Sequence, residues 1–206
     1  MTLDEALGRV PIVAILRGVT PDEVVEIGEA LVAAGITVIE VPLNSPEPIE
    51  SIRRLAEALR GRAVCGAGTV LSEADVDAVA DVGGEIVVTP NTDAAVIRRS
   101  LARGMVPMPG FATPSEAFTA YVAGARRLKM FPAATYGPGH LRQLKAVLPK
   151  DASVLAVGGV KPEAMSEWYA AGAEGFGLGG ELYRPGQSAE ETRAKAAAAV
   201  EAARRR

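Results

Sequence analysis

Residues 12–35, IVAILRGVTPDEVVEIGEALVAAG, read as one strand followed by one helix. The apolar run Ile12–Gly18 has the length and β-branched content of a buried strand. Thr20 stands three residues before Glu23 with Pro21 between them, which predicts a capping box with proline in the first helical turn. Gly35 then closes the helix in the left-handed conformation that glycine tolerates best. Seven further runs repeat the strand: Val38–Leu43, Val64–Val70, Glu85–Asn91, Met105–Phe111, Arg127–Ala133, Ser153–Gly159 and Gly175–Glu181. Successive runs start about 20–26 residues apart, the period of a βα unit with a short helix. Helix-start signals recur at Ser45-Pro46, at Ser72 with Asp75, and at Thr113-Pro114 with Glu116. They recur again at Lys161-Pro162, before a helix ending at Gly172, and at Ser188 with Glu191.

Eight β-then-α units admit a closed (β/α)8 barrel, the TIM barrel, or an open doubly wound α/β sheet. A dinucleotide-binding open sheet calls for G-x-G-x-x-G after its first strand, but that strand ends in Arg17-Gly18. The nearest imitation, Gly66-Ala67-Gly68, lacks the third glycine and follows the third strand, and no Walker A motif occurs. The pattern therefore predicts a single (β/α)8 domain over residues 1–206. At 206 residues it is shorter than the typical barrel of about 250, so little chain is left for lids.

Composition narrows the chemistry. With 49% hydrophobic and 23% charged residues the chain is expected to be globular, and a net charge of −3 gives no electrostatic reason to expect nucleic acid. The basic trio Arg204-Arg205-Arg206 reads as the positive end of a helix. One cysteine, Cys65, cannot form an internal disulfide, and one histidine, His140, cannot build a three-histidine zinc site. No cofactor motif is present, no apolar run reaches a membrane span, and Pro11 to Leu16 is too short for a signal-peptide core. The expectation is a soluble, metal-free cytoplasmic protein acting on a small molecule.

In a barrel, chemistry gathers where strands end and βα loops begin. Lys129 is the one lysine of five that lies inside an apolar strand, between Leu128 and Met130. Burial would lower its pKa and leave a neutral amine suited to Schiff-base formation with a ketone; the alternative is a lysine that snorkels outward between helices. Glu40, within Val38-Ile39-Glu40-Val41, has two readings: a carboxyl raised toward neutrality for acid–base work, or a buried ion pair with Arg17. These residues fall on the second and sixth strands, which contribute to the same interior layer and so can meet across the core. Gly158-Gly159 and Gly177-Leu178-Gly179-Gly180 end the last two strands, where barrels hold phosphate; the plainer reading is tight turns. Arg17 could receive a carboxylate or phosphate and Thr69 offers a hydroxyl. A ketone with an anionic head and a phosphate tail would use all of these groups.

The same residues carry a resemblance that runs over nearly the whole chain. AILRG at Ala14–Gly18, EVPLNSP at Glu40–Pro46, GAGTV at Gly66–Val70 and VTPN at Val88–Asn91 are followed by Pro109-Gly110. LKMFPA at Leu128–Ala133, AVGGV at Ala156–Val160 and GLGGELYRPGQS at Gly177–Ser188 complete the series. The chain resembles the class I 2-keto-3-deoxy-6-phosphogluconate aldolase family, most closely its branch acting on 2-dehydro-3-deoxy-6-phosphogalactonate. The resemblance implies that Lys129 forms the Schiff base at the C2 ketone and that Glu40 moves protons through a bound water. It implies that Arg17 and Thr69 bind the pyruvoyl end, and that Gly159, Gly179 and Gly180 hold the 6-phosphate. It implies a homotrimer without metal or cofactor. Val157 stands where gluconate-type enzymes have threonine, which implies the galactonate epimer. Gly180 departs from a serine frequent in relatives, and Ala133-Ala134 from a small polar pair. Rival expectations are the gluconate or 4-hydroxy-2-oxoglutarate aldolase, a phosphosugar isomerase or epimerase, and a non-catalytic phosphate-binding barrel.

Overall fold

Nine parallel strands curl into a nearly closed barrel in the computed structural model, which describes residues 1–205. They are β1 (Ile12–Ile15), β2 (Val38–Pro42), β3 (Val64–Gly68), β4 (Ile86–Val88), β5 (Val106–Met108), β6 (Gly110–Phe111), β7 (Arg127–Met130), β8 (Ser153–Val157) and β9 (Gly175–Leu178). The order β5-β4-β3-β2-β1-β9-β8-β7-β6 places the two sheet edges at consecutive strands. The expected eight-stranded barrel is present, with one correction: the run Met105–Phe111 is divided at Pro109, which has no N–H to donate. β5 pairs with β4, β6 pairs with β7, and the Pro109 carbonyl accepts the Lys129 N–H at 2.9 Å, so one continuous run bridges the seam.

Alternation along each strand sends neighbouring side chains into two different cores. Ile12, Ala14, Ile39, Val41, Leu128, Met130, Val154 and Ala156 face the helices, where they join Val24, Ile27, Leu31 and Leu55. Val13, Val38, Val64, Ile86, Met108, Leu155 and Val157 fill the barrel interior. Glu40 shares the inward parity of Val38 and Lys129 that of the opposite interior residues, so both charged groups are committed to the centre of the barrel. The floor is sealed by a helix the strand pattern did not anticipate: α1 (Leu3–Arg9) inserts Leu3, Ala6 and Leu7 under the interior cluster. Thr2 and Glu5 make the reciprocal capping box that starts it.

The outer helices are α2 (Val24–Ala34), α3 (Pro48–Ala58), α4 (Glu73–Asp81), α5 (Ala94–Ala102), α6 (Pro114–Val122), α7 (Ala133–Lys145), α8 (Met165–Ala170) and α9 (Ala189–Arg204). Capping boxes at Ser72–Asp75 and Thr113–Glu116 start α4 and α6, and the Ser188 side chain accepts from the Glu191 N–H at α9. One expected cap serves another partner and a second forms only in part. α3 begins at Pro48, not after Ser45, whose Oγ instead accepts the Gly18 N–H at 3.0 Å. α2 begins at Val24, and Glu23 accepts both the Thr20 N–H (3.0 Å) and the Tyr183 hydroxyl (2.6 Å). Lys161-Pro162 leads into a short 3-10 turn at Pro162–Ala164 before α8. Arg204 ends α9 and Arg205 pairs with Glu201, while Arg206 lies outside the described residues. Among the described residues no helix is long and apolar enough to cross a membrane.

Candidate active site

Most strands stop two to three residues before the ends expected from their apolar runs, and those residues form the rim of the site. Gly18, Gly158 and Gly159 adopt positive φ (81°, 98° and 74°), which ends the ladder and turns the chain inward. Thr69 does the same at φ 56°, an unusual conformation for a β-branched residue and a mark of local strain beside the cavity. All eight residues singled out above, Arg17, Glu40, Thr69, Lys129, Val157, Gly159, Gly179 and Gly180, line one cavity of ≈490 Å³ at this end of the barrel.

At its base, Glu40 is 2% exposed and Lys129 7% exposed. Val13, Val88, Met108 and Leu155 pack the apolar space beneath them. Loss of hydration in that setting raises the Glu40 carboxyl to about 7, against smaller opposing pulls from Lys129 and Arg17. The same desolvation lowers the Lys129 ammonium; the Glu40 charge raises it and Arg17 lowers it further. The Lys129 Nζ sits 4.6 Å from the centroid of the Phe131 ring. Glu40 Oε2 is buried without a hydrogen-bond partner among the described residues, so the carboxyl retains an unused acceptor in the site. The ion-pair reading of Glu40 finds no support in the contacts: Arg17 instead donates through Nη1 to Asn44 Oδ1 at 2.6 Å.

Gly68 explains how the carboxyl keeps its place. A Cβ added there would overlap all three atoms of the Glu40 carboxyl group. Gly68 is therefore a cradle for Glu40, and not part of a dinucleotide turn. Replacing Gly68 with alanine is expected to displace the carboxyl and to cost about 1–3 kcal/mol of unfolding free energy. Urea unfolding measures this, and an unchanged midpoint with full activity would show that the close approach is not required.

The glycine wall occupies the other side. Gly159 packs against Ala134, and the Ala134 N–H donates to the Gly158 carbonyl at 2.9 Å. After β9, the N–H groups of Leu182 and Tyr183 converge on the Gly179 carbonyl at 2.8 and 3.0 Å, folding Gly179–Tyr183 into a tight turn. Val157 faces the cavity and its Cγ2 would meet a Gly177 Cβ at 2.7 Å, so that glycine makes room for the valine. Phe131, Glu181, Tyr183, Arg184 and Pro185 also line the cavity and were given no role from sequence. Their one signal was proximity in the chain to Lys129 and to Gly179-Gly180.

Other candidates lie elsewhere. His140 sits in α7, where its Nε2 contacts the Ala112 carbonyl oxygen at 2.6 Å and its ring stacks on Tyr136 with centroids 5.0 Å apart. Cys65 is buried, and burial pushes its thiol up to about 12, away from thiolate chemistry. Among the described residues no group of three or more His, Cys, Asp and Glu side chains could hold a metal ion.

This arrangement places a buried amine, a buried carboxyl and a glycine wall in one concave site, and the chain as a whole is similar to known proteins. A family model described as KDPG and KHG aldolase matches residues 3–196. The 2-dehydro-3-deoxy-6-phosphogalactonate aldolase of Escherichia coli (strain K12) is 50% identical over 196 residues, covering 95% of this chain and 96% of that protein. A probable enzyme of the same name from Rhizobium meliloti (strain 1021) is 46% identical over 192 residues, covering 93% and 91%. A solved structure described as native KDPGal superimposes with a TM-score of 0.93 at 50% identity, covering 95% of each chain. The chain belongs to the KDPG and KHG aldolase family.

Proposed function

We propose that this protein is a class I aldolase cleaving 2-dehydro-3-deoxy-6-phosphogalactonate to pyruvate and D-glyceraldehyde 3-phosphate. The observation that carries this reading is the convergence of a desolvated Lys129 with a carboxyl poised near neutrality, Glu40, beneath a wall of glycines. The deprotonated Lys129 amine adds to the C2 ketone, and Glu40 supplies the proton with which the carbinolamine oxygen departs as water. The resulting iminium is the electron sink. Glu40, now ionised, takes the C4-hydroxyl proton, the C3–C4 bond breaks, and its electrons pass into the enamine as the aldehyde leaves. Protonation at C3 and hydrolysis then release pyruvate and restore the amine.

Arg17 fits the substrate carboxylate, with Asn44 fixing its guanidinium, and Thr69 offers a hydroxyl at the same end. Gly159, Gly179 and Gly180 present unobstructed backbone to the 6-phosphate. The galactonate preference is supported by the names of the E. coli and R. meliloti relatives and by Val157. The expectation of a cytoplasmic homotrimer belongs to this proposal; sedimentation tests the trimer and cell fractionation the compartment.

Borohydride reduction with pyruvate, followed by peptide mapping, tests the chemistry, and turnover of both C4 epimers tests the substrate. The expected results are an adduct at Lys129 and preference for the galactonate epimer; an adduct elsewhere, or none, overturns the reading. Val157→Thr should narrow the epimer ratio by about ten- to a hundredfold, the scale of one altered pocket contact. An unchanged ratio of kcat/KM values would remove Val157 as a specificity determinant.

A further inference from the structure

Arg184 carries a positive charge on the glycine wall that no partner among the described residues neutralises. Its Nε lies 3.9 Å from the point where a Gly180 Cβ would sit, and its side chain lines the same cavity as Gly158, Gly159 and Gly179. Several arginines on or beside the outer helices are engaged with acids: Arg53 and Arg54 with Glu50, and Arg99 and Arg103 with Asp77. Among the described residues the Arg184 guanidinium has neither an ion pair nor a hydrogen bond, although Glu181 stands on the same turn.

The backbone that bears Arg184 is braced while its charge is left open. Tyr183, 2% exposed, donates its hydroxyl to Glu23 at 2.6 Å and so ties this turn to the loop after β1. Pro185 packs over Gly18, whose Cβ would meet Pro185 Cγ at 2.7 Å, and the Gln187 N–H donates to the Arg184 carbonyl at 3.0 Å. The other cation of the cavity, Arg17, is held by Asn44 at the end of β2. The cavity thus offers two separate guanidinium groups to a substrate that carries two anions. Backbone N–H groups alone offer a phosphate dianion only partial charges, whereas a planar guanidinium adds a full charge and paired donors.

On the aldolase reading above, we propose that Arg184 binds the terminal phosphate of the substrate and sets the preference for phosphorylated over unphosphorylated keto acids. It acts in binding and not in bond cleavage, so its effect belongs mainly to KM. The test compares kcat/KM for the phosphorylated keto acid and for the same acid without phosphate in the parent, Arg184→Gln and Arg184→Lys, alongside pyruvate trapping in all three. Arg184→Gln should lose about ten- to a hundredfold on the phosphorylated substrate, the worth of one charge-assisted contact, and change less than about twofold on the other. Arg184→Lys should recover part of the loss, and trapping should proceed at the parent rate throughout. An equal loss on both substrates, or none on the phosphorylated one, overturns the proposal. Failure of the parent itself to form the pyruvate adduct would instead overturn the aldolase reading on which it rests.

Discussion

Lys129→Met is expected to abolish turnover while leaving the protein folded, with a fall in kcat on the order of 10⁴-fold or more, the scale seen when a covalent nucleophile is removed. Methionine is the informative replacement because it keeps an unbranched chain of similar volume in a position that is 7% exposed. Lys129→Ala should be equally inactive but less stable, since it empties part of the interior above Met108 and Leu155. No other lysine among the described residues lines the cavity, and two of the remaining four are held elsewhere, Lys145 by Glu174 and Lys195 by Glu191. The loss should be covalent in origin, so pyruvate with borohydride should leave the methionine variant unlabelled. Labelling at the parent rate would refute the assignment of Lys129 as the Schiff-base residue. Substrate binding, by contrast, should survive within about tenfold, because Arg17, Thr69 and the glycine wall remain in place.

Lys129 and Glu40 were legible in the sequence because each violates the apolar pattern of a strand, and a strand allows a side chain only two directions. Once Val38 and Leu155 are assigned to the interior, the inward direction of Glu40 follows from parity alone. Ser45 was misread, and Glu23 read only in part, because cap signals are local: Glu23 does accept the Thr20 N–H, but each side chain also has a partner far along the chain. Gly18 and Tyr183, 27 and 160 positions away, claim the two side chains. Gly68 was unreadable for the same reason: its need for a missing Cβ is created by a carboxyl on the adjacent strand β2. α1 escaped notice because its apolar face is only Leu3, Ala6 and Leu7, too short for a periodic signal. Arg184 is one arginine among many in the chain, and only the cavity distinguishes it.

Glu40→Gln is expected to lower kcat by about 10²–10⁴-fold, the range for loss of a positioned general acid–base group. Glutamine fills the same volume above Gly68 but cannot give or take the proton at the carbinolamine and C4-hydroxyl steps. It also removes the charge that raises the Lys129 ammonium, so the lysine should become still easier to deprotonate. An inactive variant with a more readily neutral lysine would place the deficit in proton transfer. Stability should move the opposite way. The folded carboxyl titrates at about 7 against an ordinary value of 4.5, because burial penalises its charged form. Below about pH 4.5 it is protonated in folded and unfolded chains alike. As pH rises toward 7 the unfolded chain ionises first, so the folded state loses stability through this window, by about 3 kcal/mol at roughly 1.4 kcal/mol per pKa unit. Glutamine has no such titration. Urea unfolding at pH 4.5 and pH 8 should therefore show the variant gaining on the parent as pH rises, and a pH-independent difference would refute a raised carboxyl. The penalty is complete once the pH passes the folded value near 7, so the proposed proton-transfer role of Glu40 carries a cost in stability that glutamine would not.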